Sequence, residues 1–258
     1  MIGIIIQARM GSKRLLGKMT KKILGKTVLE HVIFRLKKIK TPAEIILATT
    51  INKKDGILEE IAKQNKIKVF RGSEDDVLDR YYQAAKKFGL DPIVRITADC
   101  PVLDWQVCDE VIDFYLQNKF DYVSNVRPPT FPDGLDVEVF SFGALEKTWE
   151  NAKLNSEREH VTPYIASHPE IFKVGNLVRN GKDLSSLRLT LDEKEDLVLL
   201  RKIYNALYKK KKYFVLSDIL KFLEQKPELL KINKKIKRNE GLAKSLKYDI
   251  MSGSVPNH

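Results

Sequence analysis

The sequence predicts an α/β fold: a mixed sheet with helices on both faces. The first observation behind this prediction is an alternation of short apolar segments with amphipathic ones, which is typical of strands joined by crossover helices. The predicted strands cover 2–8, 44–49, 67–70 and 92–97. The predicted helices cover 28–39, 55–66, 77–88 and 107–115. Ligands of such sheets bind beyond the carboxyl ends of the strands.

The second observation is a change of pattern after residue 120. Residues 120–142 read as a β insertion, and residues 171–191 as two more strands. A helix is expected from 193 to about 208, followed by a lysine-rich helical extension. We therefore expect one main domain over 1–208 and an extension over 209–258.

Length, charge and cysteine content narrow the class of protein. The chain has 258 residues, a net charge of +12 and two cysteines, Cys100 and Cys108. It contains no apolar stretch of membrane-spanning length and no disulfide or zinc pattern, so we expect a cytoplasmic protein with no membrane span. The charge raises the possibility of nucleic-acid binding, but no recognition motif accompanies the lysines, and a solvated face explains them more simply.

The loop after the first strand carries the strongest functional signal. Arg9, Lys13, Arg14 and Lys18 lie among small residues in the segment IQARMGSKRLLGK, residues 6–18. Glycines let a backbone approach phosphate oxygens, and the cations neutralise their charge. The segment matches neither a dinucleotide fingerprint nor a Walker A loop. A polyphosphate site is the favoured interpretation, and an exposed basic turn is the alternative.

Two carboxylates follow later strands and suit a hard metal ion. Asp99 closes a strand and faces the same sheet edge as the basic loop, while Asp104 serves better as the cap of the next helix. Asp192 closes the segment 188–191, but it could equally cap the helix that begins nearby. A shared magnesium site requires both strand ends to be adjacent, which the sequence alone leaves open.

A second group of polar residues could bind an acceptor. Asp136 and Glu138 alternate onto one face of a strand, where they either form ion pairs or line a polar pocket. Arg158 and His160 begin a helix and offer a cation and a proton-transfer group, although a lone histidine is more often structural. Neither cysteine has a nearby residue in the sequence that could serve as a general base for a nucleophilic thiol. Both are therefore expected in the core.

Taken together, these segments resemble the cytidylyltransferase family that makes CMP-activated sugar acids, and most closely its branch similar to the spore-coat polysaccharide synthesis protein F. The resemblance extends over residues 1–248. It is carried by the segment at 6–18 and by RITADCP (95–101), PDGLDVEVF (132–140), EREHVTPY (157–164), LTLD (189–192) and NKKIKRNEG (233–241).

The resemblance implies a nucleotide-diphospho-sugar transferase fold of GT-A type, often dimeric, which transfers a nucleotidyl group with Mg²⁺ and releases pyrophosphate. It implies that CTP is bound by Gln7, Ala8, Arg9, Gly11, Ser12, Arg14, Lys18, Arg71, Asp79, Arg80 and Asp99. Of these, Arg14, Lys18 and Asp99 are the expected catalytic residues, and Asp99 with Asp192 the expected metal ligands. The small anionic acceptor is assigned to Asn125, Asp136, Glu138, Arg158 and His160, with Arg158 as its anion contact.

Two positions depart from the family pattern. Leu16 replaces a usual proline, and Ala98 stands where glycine is common. Two other functions remain as alternatives to a cytidylyltransferase. A glycosyltransferase on the same fold usually carries an Asp-x-Asp motif, which is absent here. A non-enzymatic nucleic-acid-binding protein would explain the charge but not the ordered motifs.

Overall fold

Within residues 1–252, the part of the chain that the computed structural model describes, nine strands form one seven-stranded sheet and a small hairpin. In chain order they are β1 (Gly3–Gln7), β2 (Lys22–Ile23), β3 (Lys26–Thr27), β4 (Glu44–Thr50), β5 (Lys68–Gly72), β6 (Ile93–Thr97), β7 (Tyr122–Ser124), β8 (Glu138–Phe140) and β9 (Val174–Asn176). The sheet order is β5-β4-β1-β6-β8-β7-β9, and β2 pairs with β3.

The helices follow the strands in the expected alternation. They are α1 (Val28–Leu36), α2 (Gly56–Gln64), α3 (Val77–Phe88), α4 (Trp105–Gln117), α5 (Phe142–Asn151), α6 (Asn155–His160), α7 (Pro163–Ser167), α8 (Lys194–Leu207), α9 (Leu216–Gln225) and α10 (Glu240–Met251). Short 3₁₀ helices occupy Lys18–Thr20, Lys53–Asp55 and Pro227–Lys231. The predicted α/β class is confirmed.

The register of β1 places the loops that matter at one edge of the sheet. β1 pairs in parallel with β4 on one side and with β6 on the other, with Gln7 opposite Ala48 and Thr97. The chain therefore leaves β1 and β6 side by side, and the basic loop and Asp99 emerge at the same edge. Within the seven-stranded sheet of the described residues, only β8 runs antiparallel to its neighbours, β6 and β7.

Both faces of the sheet are buried, because successive side chains of each strand point to opposite layers. Ile4 and Ile6 contribute to a core that also contains buried residues of α1, α2, α4 and α8. Ile5 contributes to a second core, shared with α3, α5 and α7. This explains why the first strand is apolar throughout rather than alternating.

The region after residue 120 agrees with its prediction only in part. The predicted β insertion over 120–142 contains β7 and β8, and β8 lies between β6 and β7 in the main sheet. The prediction of two strands over 171–191 is wrong for the second one, where the structure has β9 and then only an isolated bridge at Arg188. The reason is that segment 187–191 bonds to turns: Leu189 N–H donates to Asp133 O (2.7 Å) and Leu191 N–H to Asp99 O (2.8 Å).

The lysine-rich extension contains α9 and α10 and returns to the main domain. Asn233 Nδ2 donates to Asp196 Oδ1 (2.9 Å), and Arg238 Nη2 donates to Asp136 Oδ1 (2.6 Å). Residues 253–258 of the predicted extension lie outside the described residues. None of the helices within residues 1–252 is both long and apolar enough to cross a membrane.

Gly134 should be one of the most sensitive positions of the fold. Its φ of +104° favours glycine, and a Cβ there would lie 2.6 Å from the backbone of Leu189 and Thr190. We expect Gly134→Ala to lower the free energy of unfolding by about 2 kcal/mol or more, measured by chemical denaturation. Gly143→Ala in α5, where a Cβ meets nothing within 4 Å, is the control and should be neutral or stabilising. Equal denaturation midpoints for Gly134→Ala and wild type would contradict this reading of the turn.

Candidate active site

The loop that follows β1, residues 8–18, forms one wall of a cavity of about 520 Å³. Its backbone is held by the N–H of Met10, which donates to buried Asp55 (2.8 Å), and by Gly17, whose φ of 63° lets the chain turn back. Residues of this wall and of the strand ends beside it are Gln7, Ala8, Arg9, Gly11, Ser12, Lys13, Arg14, Lys18, Met19, Thr97, Asp99 and Asp192. We call this the loop cavity.

Lys18 lies between the two carboxylates that were predicted to bind a metal. Its Nζ is 2.6 Å from Asp99 Oδ2 and 2.9 Å from Asp192 Oδ1. Burial lowers the pKa of Lys18, but the two carboxylates outweigh it and raise the pKa overall. For Asp192, burial raises the pKa, but the charges of Lys18 and Arg14 lower it to about 2. This carboxylate is therefore ionised at neutral pH. The two strand ends are therefore adjacent, as a shared cation site requires.

Two arginines fix the orientation of Asp192. Arg14 Nη2 lies 2.9 Å from Asp192 Oδ1, and Arg188 Nη2 lies 2.8 Å from Asp192 Oδ2. Arg188 also contacts Asp133 (2.7 Å) and Asp196 (3.0 Å). Asp196 Oδ2 in turn accepts the N–H of Asp192, so the carboxylate is tied to the first turn of α8. Asp192 is not the N-cap of α8, because Glu193 occupies that position and its N–H donates to Asp196 (2.9 Å).

A second cavity of about 290 Å³, the acceptor cavity, opens beside the first. Glu138 lies at its base, in an ion pair with Arg95. Glu138 Oε1 also accepts the hydroxyls of Tyr122 (2.6 Å) and Thr162 (2.7 Å). The lining side chains include Arg14, Arg95, Asp99, Arg127, Asp133, Asp136, Glu138, His160, Arg188, Asp192 and Glu240.

The far wall of both cavities comes from α10. Gly241, Lys244, Ser245 and Tyr248 line the loop cavity, and Asn239 to Leu242 line the acceptor cavity. This helix is held against α6, because Ser245 Oγ lies 3.1 Å from His160 Nε2 and donates to Glu159 (2.6 Å). Asp249 accepts the N–H groups of Asn155 (2.9 Å) and Ser156 (3.0 Å) at the start of α6.

The two cavities meet along a shared set of residues, which are Arg14, Thr97, Asp99, Asp192 and Gly241. Arg14 completes the junction by approaching Glu240 of α10 within 3.6 Å. A ligand in one cavity and a ligand in the other would therefore face each other across the carboxylates and Lys18. Such a junction suits the transfer of a group between two bound molecules.

Most of the residues predicted for the site converge on these cavities. The loop cavity contains Gln7, Ala8, Arg9, Gly11, Ser12, Arg14, Lys18, Asp99 and Asp192, and the acceptor cavity contains Asp136, Glu138 and His160. Two predicted acceptor residues line neither. Asn125 is buried and bonds to the backbone of Leu135 and Val137. Arg158 bonds instead to Asp76 and to the carbonyl of Trp149.

Three residues predicted to bind CTP, Arg71, Asp79 and Arg80, do not line the loop cavity. Arg71 donates to the carbonyls of Thr50 (2.9 Å) and Asn52 (2.8 Å), and Asp79 accepts from the indole of Trp149 (2.9 Å). Arg80 is fully buried, and its Nε and Nη2 have no hydrogen-bond partner among the described residues. Burial and the nearby charge of Arg9 lower the pKa of Arg80.

Sequence reasoning missed several residues that the fold places in the site. Arg127 lines the acceptor cavity, Arg188 orients Asp192, and α10 supplies a whole wall. The segment NKKIKRNEG, residues 233–241, was one signal for α10, because it matched the family pattern although no chemistry was assigned to it. Arg127 and Arg188 carry no comparable signal in the sequence.

Comparison with known proteins identifies the family. The model of the cytidylyltransferase family matches residues 3–236. The chain belongs to the cytidylyltransferase family. It is thus a CTP-dependent nucleotidyltransferase. The junction of two cavities suits this activity.

Individual proteins are similar to this chain over most of its length. The cytidylyltransferase is 42% identical over 245 residues to protein MJ1063 of Methanocaldococcus jannaschii, covering 91% of this chain and 95% of that protein. It is 32% identical over 206 residues to the spore coat polysaccharide biosynthesis protein SpsF of Bacillus subtilis, covering 78% and 85%. A solved cytidylyltransferase structure from Leptospira borgpetersenii superposes with a TM-score of 0.84 at 36% identity, covering 92% and 99%.

The contact between Asp249 and α6 should hold the α10 wall in place. We expect Asp249→Ala to speed amide hydrogen exchange over residues 155–160 and 240–251, because the first N–H groups of α6 lose their acceptor. Exchange in β1, β4 and β6 should stay as in wild type. Asp113→Ala, at an exposed position of α4, is the control. Unchanged exchange in both helices would show that the wall is held by other contacts.

Proposed function

We propose that this cytidylyltransferase transfers CMP from CTP to a small anionic acceptor, an acidic sugar or a phosphorylated small molecule, and releases pyrophosphate with Mg²⁺ as cofactor. The observation that carries the proposal is the convergence of Lys18, Asp99 and Asp192 where the two cavities meet. The larger cavity, with its basic loop, would hold the triphosphate. The smaller one would hold the acceptor.

The residues at the junction fit a magnesium ion that arrives with the nucleotide. Mg²⁺ is commonly held by one or two carboxylates together with phosphate oxygens, and Asp99 and Asp192 supply two carboxylates. Residues 1–252 contain no complete group of three or more acidic, histidine or cysteine side chains around one point, so phosphate oxygens would have to complete the site. When bound, the ion would withdraw electron density from the α-phosphate and neutralise its charge.

The contacts of Lys18 and Arg14 indicate how these two cations would rearrange when the nucleotide binds. Lys18 and Arg14 both bond to Asp192 here. With nucleotide bound, these cations would turn to the phosphate oxygens, and Asp99 and Asp192 would be available for the metal. Lys18 and Arg14 would then stabilise the charge that develops on the leaving pyrophosphate.

The chemical step needs mainly positioning. An acceptor oxygen would lose its proton and form a bond to the α-phosphorus of CTP. The bond from that phosphorus to the bridging oxygen would break, and pyrophosphate would leave with the electron pair. Asp136 is our candidate for the proton acceptor, because it lines the acceptor cavity and burial raises its pKa to about 7 despite the opposing charge of Arg238.

The nucleoside end of CTP would lie toward Arg80. Among the described residues, Nε and Nη2 of the buried Arg80 guanidinium have no hydrogen-bond partner, and such groups are costly unless a ligand satisfies them. Carbonyl and ring acceptors of a cytosine could do so.

We further propose that the enzyme serves the synthesis of a surface polysaccharide or glycoconjugate, as a homodimer in the cytoplasm and without a nucleic-acid partner. The name of the Bacillus subtilis relative supports the pathway. The family resemblance of the motifs supports the dimer.

The triphosphate assignment predicts distinct effects of two groups of cations. Arg14→Ala and Lys18→Ala should each lower kcat/KM for CTP by about tenfold or more in a pyrophosphate-release assay, because each removes a phosphate contact. Lys210→Ala, an exposed lysine remote from both cavities, should have no effect. Lys18→Ala also removes the cation that lies between Asp99 and Asp192, so Arg14→Ala is the cleaner variant. Equal behaviour of Arg14→Ala and Lys210→Ala would mean that the loop is only surface charge.

The metal assignment predicts that Asp99→Asn lowers kcat by about 100-fold or more, because a neutral amide is a poor Mg²⁺ ligand. Turnover should be measured over a range of Mg²⁺ concentrations, with circular dichroism to verify the fold. Asp113→Asn, an exposed carboxylate of α4, is the matched control. If Asp99→Asn turns over within about threefold of wild type, Asp99 is not a metal ligand.

A further inference from the structure

The acceptor cavity contains one cation that the protein itself does not neutralise. Arg127 follows β7, lines this cavity and is exposed to solvent. Within residues 1–252, no hydrogen bond from its guanidinium and no carboxylate within 4.0 Å is found. An arginine left without a partner inside a charged cavity is available to a ligand.

The other arginines of the cavity differ in this respect. Arg95 pairs with Glu138, and Arg188 pairs with three aspartates. Arg14 lies within 3.6 Å of Asp192, Glu193 and Glu240. Their charges are already balanced by carboxylates, so a further anion would gain little from them.

The backbone at Arg127 is nevertheless firmly held. Asn176 of β9 accepts the N–H of Arg127 (2.9 Å) and donates to the carbonyl of Pro128 (3.1 Å). Ser124 Oγ in turn donates to Asn176 Oδ1 (3.1 Å). The base of the side chain is thus fixed while its charged end is left free, which is the arrangement expected of a ligand-binding arginine.

The charge of Arg127 reaches the interior of the cavity. Burial raises the pKa of Glu138, but Arg95 and, more weakly, Arg127 lower it overall. Arg127 lines the same cavity as Glu138, Glu240 and Gly241.

We propose that Arg127 is the residue that selects an anionic acceptor, by binding the carboxylate or phosphate group of a molecule about the size of one sugar ring in the acceptor cavity. This inference rests on the proposed transfer of CMP. It assigns to Arg127 the role that the sequence suggested for Arg158, whose guanidinium is held by Asp76. A cavity of about 290 Å³ is at the small end of ligand sites, which limits the acceptor to a small molecule.

The carboxylates that line the acceptor cavity make the binding of an anionic acceptor depend on Arg127. Asp99, Asp133, Asp136, Glu138 and Glu240 all line it. An anionic acceptor would be repelled by these carboxylates unless one cation received its charge directly. Without Arg127, the cavity should favour neutral molecules over acids.

The experiment compares Arg127→Ala, Arg127→Lys and wild type in pyrophosphate release from CTP. The acceptors are a panel of sugar acids, the methyl ester of each acid, sugar phosphates and the neutral parent sugars. Comparison of the sugar acids with the sugar phosphates shows whether the acceptor cavity binds a carboxylate or a phosphate group. Arg201→Ala, an exposed arginine of α8 that lines neither cavity, is the matched control.

We expect wild type to prefer anions over the matching esters or neutral sugars. Arg127→Ala should raise the acceptor KM by about tenfold or more and abolish that preference, while the KM for CTP changes less than about twofold. Arg127→Lys should recover part of the preference, and Arg201→Ala should match wild type. An unchanged preference in Arg127→Ala, or a wild-type preference for neutral acceptors, overturns the inference. Absence of pyrophosphate release by wild type with every acceptor instead refutes the proposed function.

Discussion

The buried guanidinium of Arg188 is the contact on which the site depends. Its side chain is 7% exposed and reaches Asp133, Asp192 and Asp196, which belong to the turn before β8, the loop before α8 and α8 itself. One cation thus contacts three carboxylates and joins the turn before β8 to the segment that leads into α8. Removing one partner of such a buried network typically costs about 3–5 kcal/mol, because the remaining charges lose their compensation. This network holds the carboxylate of Asp192 in position.

The site as a whole is an arrangement of paired opposite charges, with exceptions where a ligand is expected. Lys18, Arg14 and Arg95 each contact a carboxylate. Among residues 1–252, Arg127 and the Nε and Nη2 atoms of Arg80 have no such partner. Paired charges cost little in the free protein and can exchange partners when a substrate binds. A cation without a partner in the protein gains favourable interaction energy only from a bound substrate. Such a cation therefore discriminates between substrates.

The sequence predicted the sheet, the basic loop and the carboxylates of Asp99 and Asp192 beside that loop, because each has a local pattern. An apolar strand followed by glycines and cations is visible within a few residues, and so is a carboxylate at a strand end. Arg158 shows where such reasoning ends, since its partner Asp76 is remote in sequence and only the packing of α6 on α3 brings them together. Arg127 has no local signal either. Its lack of a partner becomes apparent only when the contacts of the other arginines around the acceptor cavity are known.

The position of α10 also bears on how the protein matures. The strands and the basic loop all precede residue 177, whereas the wall that closes both cavities is residues 239–251. During synthesis the sheet can therefore assemble while the cleft still lacks one side. The first N–H groups of α6 have to wait for Asp249 before they are satisfied. A ribosome-bound chain would thus hold a folded but open cleft, and the enzyme would become competent only after its last described helix had emerged.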